Sequence, residues 1–351
     1  MNHFLESAPG SRLNDHGEEY FFFGGTSYLG LQADAEFQEI LIKNIGSLGT
    51  NWGASRKSNI RLSVFDKFEA YLSEKAGSQS CLSVSSGYMA GQMLKRHFSE
   101  LGFEMFCAPH THPAIIHEKS RLFQTYQDLA SSLVDHLNTA GDKKCVLFLD
   151  TIDFSGINFP NFEALKKLPL ENVILVADDS HGFGLIGTNG YGSYELLKQL
   201  NAKELIVCGS LGKALATPGG VILGNRQRIE HLNEMEFFAG ASPPSPAALK
   251  TLMEAEELIQ LRKAKLSKNM ETFLATISDE IDLTIIPGHP VFGYDNEALT
   301  EYLLKEKIVT TNFRYPAPTS PLVSKIVLNA QHSEADILNL TNTINSFFKT
   351  T

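Results

Sequence analysis

The 351-residue chain has no apolar run approaching the roughly 20 residues of a membrane-spanning helix. Its start, Met1 to Glu6, lacks a basic stretch followed by an apolar one, so no signal peptide is expected. Basic charge is not in excess: 30 Lys and Arg stand against 40 Asp and Glu, a formal net charge of −10. That sign argues against a nucleic-acid partner, which needs a basic footprint. Cysteine is sparse. Cys81, Cys107, Cys145 and Cys208 form no C-x-x-C pair and no zinc spacing. Each lies in or at the edge of an apolar, strand-like run, as buried thiols of a reducing, cytoplasmic protein do. No internal repeat or long linker is visible, and 43% hydrophobic with 20% charged residues excludes a disordered chain.

What is present is an alternation. Short apolar runs recur at Cys81–Val84, Phe103–Cys107, Cys145–Leu149, Val173–Ala177, Leu205–Cys208 and Gly220–Leu223. Near-continuous apolar character is the mark of strands covered on both faces. Amphipathic stretches separate them. From Ser63, a candidate N-cap, Val64, Phe68, Leu72 and Ala76 share one face, and Gly77 supplies the stop. The alternation predicts an α/β fold with a mostly parallel sheet flanked by helices. After residue 225 the pattern changes. Helical segments (Arg226–Phe238, Ser245–Thr276) precede shorter strand candidates at Leu283–Pro287, Ile308–Thr311 and Lys325–Leu328, and a last helix covers Ser333–Phe348. The expected organisation is an N-terminal segment (1–45), a large α/β domain (46–225), and a connecting helix with a small α+β domain (226–351).

Two places carry chemistry. The run Val173–Ala177 delivers Asp178, Asp179 and, two residues on, His181 at its carboxyl end, where open α/β sheets place ligands. Thirty-five residues beyond Asp178, Lys213 sits in Gly209-Ser210-Leu211-Gly212-Lys213-Ala214 within an apolar stretch. Burial lowers a lysine's pKa and makes it nucleophilic. Val207 and Ala214 occupy positions where a phosphate-binding P-loop needs glycine and Ser or Thr. Gly182 to Gly187 matches G-x-G-x-x-G, but more glycine-rich loop follows it instead of a helix, so no dinucleotide site is expected. His110, His112 and His117 invite a metal reading, yet no nearby acid completes a familiar ligand spacing, and no metal is expected.

The combination resembles the α-oxoamine synthase family of fold-type I pyridoxal 5'-phosphate (PLP) enzymes, and its landmarks recur in order. Ser27-Tyr28-Leu29-Gly30-Leu31 is similar to N-Y-L-G-L, Asn51-Trp52-Gly53-Ala54-Ser55-Arg56 to G-x-G-G-S-R, and Phe65 to Glu69 to H-x-x-L-E. Ser86-Gly87-Tyr88-Met89-Ala90 resembles S-G-F/Y-x-A, His112-Pro113-Ala114 resembles H-A-S, and Asp178 to His181 resembles D-E-A-H. Gly209 to Ala214 resembles G-T-L-G-K-A, Pro243-Pro244 a later P-P, and Ala330 to Ile337 A-A-H-T-x-x-D-I.

The resemblance implies a PLP-dependent acyltransferase that condenses a small amino acid with an acyl thioester such as acyl-CoA. The alternative is an aminotransferase, aldolase-type lyase or decarboxylase on the same fold; His112 leans toward the synthases, since aminotransferases more often stack an aromatic ring there. It implies that Lys213 forms the internal aldimine and moves protons, that Asp178 pairs with the pyridine nitrogen, and that His181 bonds the ring's phenolic oxygen. His112 would stack on the ring; Ser86, Gly87, Tyr88 and Ser210 would hold the phosphate. A cytoplasmic homodimer with shared active sites is implied as well. Departures concentrate in the substrate-holding positions. Lys325 stands where the family has its carboxylate-binding arginine, seven residues before the histidine of A-A-H, here His332. Ser27 replaces the asparagine of N-Y-L-G-L, Phe65 the histidine of H-x-x-L-E, Gly240 a phosphate-binding threonine, and Asp150 to Gly156 fits S-M-D-G-D poorly. Lys325 and Ser27 are the expected substrate contacts, and the pattern implies retained PLP chemistry with an altered substrate.

Overall fold

The computed structural model describes residues 4–139, 144–315 and 317–350. Strands follow in the order β1 (Arg12–Asp15), β2 (Glu18–Phe23), β3 (Ser80–Val84), β4 (Glu104–Cys107), β5 (Arg121–Leu122), β6 (Cys145–Asp150), β7 (Ile174–Asp178), β8 (Glu204–Ser210), β9 (Gly220–Gly224), β10 (Thr284–Ile285), β11 (Val291–Gly293), β12 (Ile308–Arg314) and β13 (Leu322–Val327). The chain forms two compact units, residues 40–255 and residues 1–39 with 256–351.

The larger unit is built on a seven-stranded sheet in the order β3-β9-β8-β7-β6-β4-β5. Its centre, β4 through β8, is parallel. The β9 strand runs antiparallel to both of its neighbours. All six expected strands are present within a residue or two. Each has an apolar centre: Val84, Cys107, Phe148, Val176, Ile206 and Ile222 belong, with Phe98, to one buried cluster. The four cysteines are buried, unpaired thiols.

Local chemistry sets the helix ends. The helices are α1 (Ala35–Leu48), α2 (Ser63–Ala76), α3 (Gly87–Glu100), α4 (Tyr126–Thr139), α5 (Tyr194–Lys198), α6 (Arg226–Glu234), α7 (Glu236–Ala239), α8 (Pro246–Glu254), α9 (Glu256–Thr276), α10 (Glu297–Lys305) and α11 (Glu334–Thr350). Helix α2 stops at Gly77, which adopts φ 73° as a left-handed cap. Ser63 is not its cap; Leu62 holds that position without a side-chain bond. The expected helix 226–238 breaks at Met235, whose backbone turns extended (φ −62°, ψ 136°), and the expected helix 245–276 is interrupted at Ala255. Helix α8 buries Ala247, Leu249 and Leu252 and packs on α2. Residues 226–254 therefore fold with the larger unit, beyond the expected boundary at 225.

The smaller unit holds a six-stranded sheet ordered β1-β2-β12-β13-β11-β10. Residues 12–23 thus supply two strands where the sequence pattern predicts only an N-terminal segment without assigned elements. Fully buried His332 pins this unit. Its Nδ1 accepts the Asn329 N–H at 3.0 Å, its Nε2 lies 2.9 Å from the Phe22 carbonyl, and its ring stacks on Phe23 at 4.1 Å. Burial pushes its pKa down to about 4.

Candidate active site

Parallel strands ending side by side create the site. β6, β7 and β8 finish in Asp150, Asp178 and Ser210, and Asp150 and Asp178 are direct register partners. Asp178 is buried and its Oδ1 accepts the Ser180 N–H at 2.9 Å. The turn that follows carries His181. Three residues beyond β8, Lys213 places its Nζ 2.8 Å from His181 Nε2. Desolvation lowers the Lys213 pKa from its ordinary value, while Asp178 and then Asp150 pull it back up. The Phe154 and His181 rings meet in a T-shaped contact, 4.6 Å between centroids.

His112 stands on the loop after β4. Its Nδ1 accepts the Ala114 N–H at 3.1 Å. Burial is the main reason its pKa falls below that of an ordinary histidine, with Lys213 adding to the fall and Asp178 opposing it.

A helix terminus faces the end of β8. Ser86 is the N-cap of α3, its hydroxyl accepting the Met89 N–H at 3.0 Å. The amides of Gly87 and Tyr88 precede the first helical bond, which Ala90 donates to Ser86. A Cβ on Gly87 would lie 2.6 Å from Ser210 N, so only glycine permits this approach. The Ser210 hydroxyl accepts the Gly212 N–H at 3.0 Å and its amide donates to Ser180 Oγ at 2.9 Å.

Lys213, His181, Asp178, His112, Ser86, Gly87, Tyr88 and Ser210 thus all belong to the larger unit. Ser27 and Lys325 belong to the smaller one. Ser27 is half-buried in a turn, its carbonyl accepting the Gly30 N–H at 2.9 Å. Lys325 is half-buried in β13 opposite Gly293 and Thr311. Sequence reasoning misses two members of the cluster. Asp150 ends an apolar run just as Asp178 does, which is the signal that marks it. Phe154 sits at a left-handed φ of 58°, unusual for a bulky side chain and without a sequence signature.

This fold and this cluster define a PLP-dependent transferase of fold type I. The chain belongs to the aminotransferase class I and II family, whose model matches residues 125–344. It is 27% identical to the 8-amino-7-oxononanoate synthase of Petrotoga mobilis, over 95% of this chain and 89% of that one. Among solved structures it resembles a serine palmitoyltransferase from S. paucimobilis with a bound PLP–myriocin aldimine (TM-score 0.79, 16% identity, 99% of this chain and 92% of that one). It also resembles 8-amino-7-oxononanoate synthase from Francisella tularensis (TM-score 0.70, 20% identity, 94% of this chain and 98% of that one).

The donor set fits PLP. A desolvated amine suits the aldehyde, a buried carboxylate suits the protonated pyridine nitrogen, and the amides at the start of α3 suit the phosphate. Among the described residues, no helix is long and apolar enough to cross a membrane.

Proposed function

We propose that the protein is an acyltransferase that joins the α-carbon of a small α-amino acid to an acyl thioester such as acyl-CoA, releasing the thiol and forming a 2-amino-3-oxo acid, which gives an amino ketone where the carboxylate then leaves as CO2. The observation that carries this reading is the 2.8 Å approach of Lys213 Nζ to His181 Nε2 beside the Asp178 carboxylate. The named relatives, matched along nearly the whole chain, support the condensing reaction.

PLP, when bound, supplies an electron sink for the carbanion left at a substrate's α-carbon. The chain's own groups do the rest. Lys213 holds the cofactor and afterwards takes the α-proton at Nζ; burial favours the uncharged amine, the form that accepts a proton. His181 orients Nζ. Asp178 pairs with the pyridine nitrogen and keeps it protonated. His112 covers the ring face, and Ser86, Gly87, Tyr88 and Ser210 hold the phosphate. Lys325 is the proposed contact for the substrate carboxylate as a single charge, where an arginine would grip it with two parallel bonds, and Ser27 is a second proposed substrate contact. The assembly is a cytoplasmic homodimer with shared active sites. Support for the compartment comes from the four unpaired thiols, and support for the partner from Tyr88, which is 61% exposed beside the phosphate-binding amides.

PLP-loaded protein supplied with an amino-acid panel, with and without acyl-CoA, tests the reading. Free CoA and a ketone product from one pair support it. Conversion of the amino acid to a 2-oxo acid without thioester consumption supports transamination instead, a second reading that the family's name favours. Aldehyde or CO2 release without thioester use points to a lyase or decarboxylase.

A further inference from the structure

One acid in the cluster, half-buried Asp150, has no role in the scheme above. Asp150 Oδ2 accepts the backbone N–H of His112 at 2.6 Å. The Asp150 carbonyl accepts Asn158 Nδ2 at 2.8 Å, and Asn158 in turn accepts the Tyr126 hydroxyl. The carboxylate is thereby set between a fixed strand end and the loop that carries His112. The groups facing it are Asp178, Asp153 and Lys213 together with the His112 amide.

The His112 ring is held from its other side. Its Nδ1 accepts the Ala114 N–H, and a ring nitrogen that accepts a hydrogen bond carries no proton. The neutral ring therefore keeps its proton on Nε2. Two bonds to neighbouring parts of one loop, the N–H to Asp150 and the Nδ1 from Ala114, fix both where His112 stands and which tautomer it presents beside Asp178 and Lys213. An uncharged ring suits a face laid against a cationic pyridinium.

We propose that Asp150 is a positioning residue that clamps the His112 backbone, so that the imidazole is presented to the cofactor site as the neutral, Nε2-protonated tautomer. The clamp needs an oxygen acceptor at this point, not a negative charge. Burial and the opposing Asp178 in any case favour the protonated acid, whose other oxygen still accepts. The proposal deepens the PLP reading and rests on it only in the cofactor arm of its test.

Full-length protein labelled with 15N-histidine, with the His112 signal assigned against His112→Gln, provides the first arm. At about pH 6.5, where an ordinary histidine is half protonated, wild-type His112 should be uncharged with its proton on Nε2. Asp150→Asn keeps an oxygen acceptor and should preserve that signature; Asp150→Ala should give a mixture of tautomers. In the second arm, PLP retention on dialysis should hold in Asp150→Asn. It should weaken roughly five- to a hundredfold in Asp150→Ala, the range for a buried N–H left without an acceptor. A charged or Nδ1-protonated His112 in the wild type overturns the proposal, and needs no Asp150 variant to fold. So does Asp150→Ala matching the wild type, or Asp150→Asn being as impaired as Asp150→Ala, which would make Asp150 a charge partner. The first arm reads the ring independently of the cofactor, so wild-type protein that binds no PLP overturns the PLP reading alone.

Discussion

Gly87, the first residue of α3, packs so tightly on Ser210, the last residue of β8, that an added Cβ would meet Ser210 N at 2.6 Å and Ser210 Cβ at 2.7 Å. Two elements far apart in sequence are locked together where the phosphate is proposed to bind, and most of the contact is backbone that cannot step aside.

Gly87→Ala should therefore push the helix terminus away from β8. The expected cost is about 1–3 kcal/mol of stability, the range for overpacking a close contact, with loss of PLP retention. Thermal unfolding and cofactor content after gel filtration check both. A stable, PLP-retaining Gly87→Ala would remove the close approach from the account of the phosphate site.

A second expectation concerns pH. Asp179 is fully buried, its Oδ2 accepting the Ser193 N–H at 2.7 Å, and burial raises its pKa to about 7 from 3.8. Between those values the folded protein holds a proton that the unfolded chain has released. Stability from this group therefore falls as pH rises from about 4 to 7, and the full loss remains above that. At 1.36 kcal/mol per unit the loss is of order 4 kcal/mol. Asp179→Asn keeps an acceptor for Ser193 and cannot ionise. Its stability relative to wild type, from urea titrations across the window, should grow as pH rises. A constant gap would show that Asp179 is ionised throughout.

How much of this is legible in the sequence differs by level. The central strands are, because burial on both faces leaves runs such as Val173–Ala177 with no polar residue. The β1–β2 hairpin is not. Arg12, Asn14, Glu18 and Glu19 leave only the short apolar run Tyr20 to Phe23, largely half-buried, and its partner β12 lies almost 300 residues away. The breaks at Met235 and Ala255 carry neither glycine nor proline. In the site, Lys213, Asp178 and His181 are visible as chemistry at strand ends. Asp150 is hidden by the poor fit of its segment to the family pattern, since a lone acid after a strand is commonplace.

Lys325 offers a test of altered substrate recognition. If it meets the substrate carboxylate, Lys325→Ala should weaken amino-acid binding by about 1.5–3 kcal/mol while leaving PLP content unchanged. Lys325→Arg should bind at least as well as wild type. Spectral titration with the preferred amino acid reads both. Unchanged affinity in Lys325→Ala would remove the residue from the substrate site.

Subunit association is read by light scattering on the loaded enzyme. The expected mass is twice that of one chain at micromolar concentration; a monomer with full activity would contradict shared active sites.

The most direct measurement is borohydride reduction of the PLP-loaded protein followed by peptide mapping. Lys213 is the proposed attachment point, as the desolvated amine held 2.8 Å from His181. The pyridoxyl mass should appear on the peptide containing Lys213, and Lys213→Ala should carry no label and lose activity by a factor of roughly 10²–10⁴, the usual contribution of a positioned acid–base group. Label on another lysine, or full labelling of Lys213→Ala, would contradict the assignment.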